Sequence, residues 1–203
     1  MKKSILLFVL VLGGALSMNA QEAWNFGVKG GVNIADFTGD DFSSDNSRTS
    51  FNVGLLAEIP LADKFSLQPE VMYSGQGYDI AEIDQDNFVD TDENVEFQLD
   101  YINVPVLAKI YLVDGLSVQA GPSFNFKVNE EIDYKPTDDG GDIDITDGVA
   151  EAKDFEFGGA AGLEYKFNNG LFIQGRYNYG FTDTFEDRDI HNSVWQFGVG
   201  FMF

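Results

Sequence analysis

The chain contains no cysteine and a single histidine, His191. Without thiols it forms no disulfide, no iron–sulfur cluster and no Cys-ligated zinc site, and one imidazole leaves no His-rich metal centre. Bases are scarce too: 12 Lys and Arg stand against 34 Asp and Glu, a formal charge of −22. Nucleic-acid binders carry a basic patch or stripe, so that class of function is excluded. Only 23% of the 203 residues are charged, so the imbalance is as much a shortage of bases as a wealth of acids. Long apolar runs are also lacking. Beyond residue 20 charges or glycines interrupt every stretch, and a transmembrane helix needs roughly 20 apolar residues. What is abundant is aromatic: 19 Phe, 8 Tyr and 2 Trp, with 22 glycines. Disordered acidic chains are poor in aromatics. This composition points instead to one β-rich domain with acidic, solvated loops.

The first twenty residues read as a signal peptide. Met1-Lys2-Lys3 is a short basic start, Ile5–Leu12 is apolar, and small or polar residues lead to Ala20. That is the export layout, with cleavage expected after Ala20 and the mature domain spanning 21–203. The apolar run is too short for a membrane anchor. No cysteine follows to carry a lipid. Removal of the leader takes two lysines and no acid, moving the charge from −22 to −24.

Period-two alternation marks eight strands. Trp195, Phe197, Val199, Phe201 and Phe203 share a face opposite Gln196, Gly198, Gly200 and Met202. Equivalent patterns run over Trp24–Ile34, Phe51–Ile59, Phe65–Gln76, Leu116–Val128, Phe155–Phe167 and Leu171–Phe181. The eighth, Val95–Leu112, changes phase: Val95, Phe97, Leu99 and Tyr101 give way to Ile102, Val104, Val106, Ala108 and Ile110. A one-residue slip of this kind predicts a β-bulge that keeps both sets on one apolar face, with Pro105 just beyond it.

Connections alternate in length. Short ones fall at Leu61–Lys64, Val113–Gly115 and Asn168–Gly170, the last two carrying Asp-Gly and Asn-Gly. Long ones are expected at Phe37–Ser50, Asp79–Asn94, Asn129–Ala152 and Asp183–His191, and they hold 23 of the 34 acids. Short turns alternating with long loops around an even strand count predict an eight-stranded antiparallel up-and-down transmembrane β-barrel with its acidity on one rim.

The competing architecture is a secreted barrel with an apolar interior, of the lipocalin type. Three features argue against it. The apolar face is almost free of charge, as hydrocarbon contact requires. The polar face mixes glycines with Lys29, Glu58, Glu70, Lys109, Lys127, Glu156, Glu164, Lys166 and Arg176, a set suited to a narrow lumen. Aromatics crowd the strand ends in two girdles: Trp24, Phe26, Phe65, Tyr111, Phe167, Phe201 and Phe203, then Phe51, Tyr73, Phe97, Phe157, Phe181 and Trp195.

The final strand, Val194–Phe203, resembles the terminal strand of Gram-negative outer-membrane barrels. In those proteins the closing aromatic is read during assembly, which implies such a role here for Trp195, Phe197, Phe201 and Phe203. Tyr101-Ile102-Asn103-Val104-Pro105-Val106-Leu107-Ala108-Lys109 resembles the Tyr-Leu-x-Ile-Pro-Leu-Leu-x-Lys signature of PorT-like barrels from Bacteroidetes. Phe26–Asn33 and the Ala20-Gln21 junction are similar to that group as well. The resemblance implies an OmpA/OmpX-like outer-membrane barrel of the porin family, in contact with membrane lipid and the barrel-assembly machinery. It implies no particular activity.

Eight strands enclose a lumen that side chains can fill, whereas aqueous porins use roughly 16–18. Lys29, Lys109, Lys166 and Arg176 are therefore expected to neutralise Glu58, Glu70 and Glu164 in a plugged interior. The expected role is structural, or surface-binding through the acidic loops to an unidentified ligand. The alternative is a low-conductance channel for small solutes. Two sharper possibilities carry less support. Lys135–Asp147 could gather Ca²⁺, but its spacing does not match an EF-hand. His191 near Asp187, Asp189 and Ser193 could support hydrolysis, but no nucleophile motif accompanies it. No enzyme activity, metal or cofactor is expected.

Overall fold

A computed structural model describes residues 24–39, 42–43, 47–80, 95–133, 142–143, 152–185 and 189–203. The leader and most of the Lys135–Asp147 loop lie outside these residues. Eight long strands run in chain order: β1 (Asn25–Gly39), β2 (Arg48–Ala62), β3 (Phe65–Ile80), β4 (Val95–Val113), β5 (Leu116–Asp133), β6 (Phe155–Lys166), β7 (Leu171–Gly180) and β8 (Ile190–Met202). Two-residue segments, Phe42–Ser43 and Asp142–Ile143, add to the ends of β1 and β5. Every long strand pairs antiparallel with its sequence neighbours. β1 and β8 close the ring, in register from Gly27↔Met202 to Gly39↔Ile190. The architecture is a closed eight-stranded antiparallel barrel, and no helix occurs among the described residues.

Alternation decides the facing of side chains along each wall. Val28, Val53, Leu55, Val71, Leu163, Ile173, Phe197 and Val199 are exposed on the outside. Lys29, Asn52, Gln68, Gln119, Gln174 and Gln196 are buried within. An apolar exterior around a polar interior inverts the arrangement of a water-soluble barrel. The short connections β2–β3, β4–β5 and β6–β7 lie at one end. There Gly115 and Gly170 take positive φ, 80° and 89°, as the second residues of the Asp-Gly and Asn-Gly turns.

Three expectations are corrected. First, β4 keeps one parity through the phase slip: Phe97, Leu99 and Tyr101 are buried inside, on the same side as Asn103, Leu107 and Lys109. A register shift does occur there, between Asp100↔Asn129 and Tyr101↔Lys127. The extra residue, Val128, lies on β5. The slip marks a change in lumen chemistry, from polar to apolar, and leaves the facing of β4 unchanged. Phe97 therefore belongs to the interior and not to a girdle.

Second, Tyr111 turns inward at the short-turn mouth, with its hydroxyl donating to Glu58 Oε1 at 2.5 Å. Third, all four expected long loops begin or end inside strands, Asp79–Ile80 in β3 and Ile190–His191 in β8 among them. Phe37–Gly39 continues β1, Arg48–Ser50 opens β2 and Asn129–Asp133 extends β5. There polar residues or glycine take both phases, as in Thr38-Gly39, Arg48-Thr49-Ser50 and Asn129-Glu130-Glu131, so the period is lost from the sequence although the ladder continues.

Candidate functional site

The lumen is the interior that the described residues enclose, and its side chains form successive layers along the axis. Nearest the short turns, Lys109 Nζ lies 2.5 Å from Glu164 Oε1 and 3.2 Å from Glu58 Oε2, and donates to Gln68 Oε1 at 3.1 Å. Lys166 Nζ joins Glu58 Oε2 at 3.2 Å, and Ser66 Oγ donates to its Oε1 at 3.1 Å. The Tyr111 ring sits beneath both amines, 5.2 and 5.4 Å from Lys109 and Lys166. An open vestibule of about 410 Å³, lined in part by Asp63, Lys64, Ser66 and Asp114, leads inward and ends on this cluster.

One layer further in, Glu70 is gripped from two sides. Arg176 reaches it bidentately, Nη1 to Oε2 and Nη2 to Oε1, both at 2.7 Å. Lys29 Nζ approaches Oε2 at 2.6 Å, and Gln68 Nε2 donates to Oε1 at 2.8 Å. Arg176 Nη2 also reaches Gln119 and Gln174 at 3.1 and 3.3 Å. All seven residues singled out from the sequence thus face the interior, in two linked clusters. Fork-to-carboxylate geometry makes the Arg176–Glu70 pair the stiffest element of the ladder.

Above it the lumen becomes an amide layer. Asn33 Nδ2 donates to Ser74 Oγ at 3.0 Å and to the Gly75 carbonyl at 2.7 Å, while Asn52 Nδ2 donates to Asn33 Oδ1 at 2.6 Å. Asn103, Ser123 and Asn125 continue it on β4 and β5, with Asn103 Nδ2 and Ser123 Oγ both donating to Asn125 Oδ1. At the long-loop end the interior turns apolar. Phe37, Phe97, Leu99, Tyr101, Ala152, Phe185 and Ile190 form one buried cluster, with Phe185 packed against Phe37 and Phe97 at 5.9 and 6.1 Å.

Sequence reading missed two interior features. Phe172, at 0% exposure, packs with Leu56 and Met202 beside the lower charge cluster. Its ring lies over Gly200, its partner in the ladder, where even a Cβ would collide with it. The signal was there, a large side chain opposite a glycine, but reading it requires the strand register. The apolar cluster was the second omission, because its residues were assigned to the outer face or to loops.

The remaining sequence candidates sit at the long-loop rim. Lys127 Nζ meets Glu130 at 2.7 Å and Asp154 at 3.6 Å, apart from the ladder. His191 Nε2 lies 2.9 Å from Asp189 and 4.0 Å from Asp183, whereas the Ser193 hydroxyl pairs with Tyr177 at 2.9 Å. The expected His191–Asp189 pair is thus present, Ser193 is engaged by Tyr177 instead, and Asp187 lies outside the described residues. Ligand atoms of Asp183, Asp189 and His191 fall within 4.8 Å of one another. Lys153 stands 3.7 Å from Asp183, a cation already in place. Trp195, Phe197, Phe201 and Phe203 face outward along β8 and at its end.

Comparison with known proteins agrees with this geometry. Neisserial surface protein A superposes with a TM-score of 0.58 at 15% identity, covering 90% of this chain and 100% of that one. Ail, the attachment invasion locus protein of Yersinia pestis, gives 0.54 at 13% identity over the same shares. A second Ail structure, in complex with the heparin analogue sucrose octasulfate, gives 0.53 at 14% identity. At such identities the likeness is one of fold. No curated protein sequence matches the chain. The model of a family described as outer membrane protein beta-barrel domain matches residues 19–186, most of the chain. The protein therefore belongs to the outer membrane β-barrel domain family.

Proposed function

We propose that this protein is a sealed outer-membrane scaffold of the PorT-like kind, which presents acidic loops at the surface of a Gram-negative cell. In this reading residues 1–20 direct export. The outer band meets lipid, and the aromatic β8 is presented to the assembly machinery. The observation that carries the sealed scaffold is the layered interior. Linked ion pairs, amides and a phenylalanine-rich cluster occupy successive levels of the interior, which supports a lumen without a continuous water column. An eight-stranded wall is narrow enough for side chains to fill.

Planar-bilayer recording on the refolded mature barrel tests it. The expected trace is silent up to voltages at which the bilayer itself fails. Discrete, reproducible conductance steps would overturn the sealed reading and favour a small-solute channel.

Surface binding follows from charge. The acids of the long-loop segments outnumber Arg48, Lys135 and Arg188, the bases there. A set of this sign suits a cationic partner and repels polyanions of the kind that Ail holds in its complex. Detergent-solubilised barrel should be retained on immobilised polylysine at low salt, release as ionic strength rises, and pass through immobilised heparin. Retention on heparin would sink the cationic-partner reading without touching the sealed lumen.

A further inference from the structure

Among the described residues, Glu156 is a lumen carboxylate that no lysine or arginine touches. It is 2% exposed, as deeply buried as Glu58, Glu70 and Glu164, each of which touches a Lys or Arg. Its own recorded partners are neutral: Asn125 Nδ2 donates to Oε1 at 3.0 Å and Thr184 Oγ1 to Oε2 at 3.3 Å. Among the described residues no lysine or arginine pairs with it. His191 is close enough to act on it electrostatically, but that imidazole is held by Asp189 at 2.9 Å. A buried charge left unpaired is costly, and a bound cation would relieve that cost.

The surroundings offer a place for it. Glu156 lines a cavity of about 10 Å³ together with Asn178, Asn192, Ser123 and Gln76, close to the size of one water molecule or bare ion. Asn178 is 7% exposed, and neither atom of its amide has a partner. Asn192 donates its amide N–H to Gln76 Oε1, which fixes the group and leaves Oδ1 unpartnered. Gly180 forms a close wall, where a Cβ would stand 2.8 Å from Glu156 Oε1. On the long-loop side the Phe37–Phe97–Phe185 cluster lies between this level and the rim. The oxygens that these lining residues offer are one carboxylate and two amide carbonyls, Asn178 Oδ1 and Asn192 Oδ1, with a single negative charge. Oxygen donors of this kind select hard cations. One charge in a space of one ion selects a monovalent one, because a divalent ion would leave a buried positive surplus.

We propose that Glu156, Asn178 and Asn192 form an internal site for one dehydrated monovalent cation of the sodium class, which ties β6, β7 and β8 together beneath the apolar cluster. To test it, the refolded full-length mature barrel is unfolded by heat at pH 8. Sodium chloride is compared with choline chloride at equal ionic strength. The midpoint should stand about 2–4 °C higher in sodium. Glu156→Gln and, as a milder variant, Asn178→Ala should abolish or shrink that difference. Crystals grown with thallous acetate should show an anomalous peak in the cavity. Equal midpoints in the two salts, a sodium effect that survives both substitutions, or an ordered water only at the position would overturn the proposal.

Discussion

Replacing Arg176 by leucine should destabilise the barrel by about 3–5 kcal/mol, the usual cost of removing one partner from a buried ion pair. Arg176 is 1% exposed and spans the lumen to Glu70, 106 positions away in sequence. It donates to both carboxylate oxygens and to two glutamines. Leucine matches part of its bulk but leaves Glu70 with Lys29 and Gln68 alone. The measurement is the urea midpoint for unfolding from phospholipid vesicles, or the temperature at which the folded band is lost on a gel. A double change, Arg176→Leu with Glu70→Leu, removes charge on both sides and should recover a large part of the loss. Unaltered heat resistance of the single variant would count against the ladder as a structural plug.

A lipid-facing charge has an effect of similar size and asks which face is outside. Leu55 is 63% exposed in the middle of β2, flanked across the ladder by Val28 and Val71, both exposed. In water such a leucine could become arginine at almost no cost. In a bilayer Leu55→Arg should cost roughly 2–4 kcal/mol near the midplane. Folding into vesicles should therefore be impaired, while Leu61→Arg, at the β2–β3 turn, should be nearly neutral. If both variants fold alike, the outer band does not meet hydrocarbon.

These two experiments separate what was legible from what was not. The lipid face could be read residue by residue, because Val53, or Phe197 and Val199, alternate with polar residues and glycines within one strand. The ladder's membership could be read in the same way: Lys29, Glu58, Glu70, Lys109, Glu164, Lys166 and Arg176 occupy the polar phase. Their pairing could not. Lys109 lies between Glu58 and Glu164, and Glu70 takes Arg176 and Lys29 at once. Those choices depend on how far adjacent strands are staggered around a closed wall. The phase rule also misread Phe97, Leu99 and Tyr101. It equates apolar with outward, which holds only where lipid is the outer solvent and the lumen is polar. Near the long loops neither condition applies, and apolar side chains turn inward to close the top of the interior.

Local chemistry by itself determined the strand count, the antiparallel order, the outward band and the placement of most acids in four long-loop segments. The reason is that period-two alternation and turn dipeptides act over a few residues, and each strand carries its own copy of the signal. Tertiary structure alone decided which charges meet, where Phe172 fits over Gly200, and that Glu156 meets Asn125 and Thr184 and no lysine or arginine among the described residues. Closure of β1 on β8 sets the height of every inward side chain relative to all the others, and no single strand contains that information.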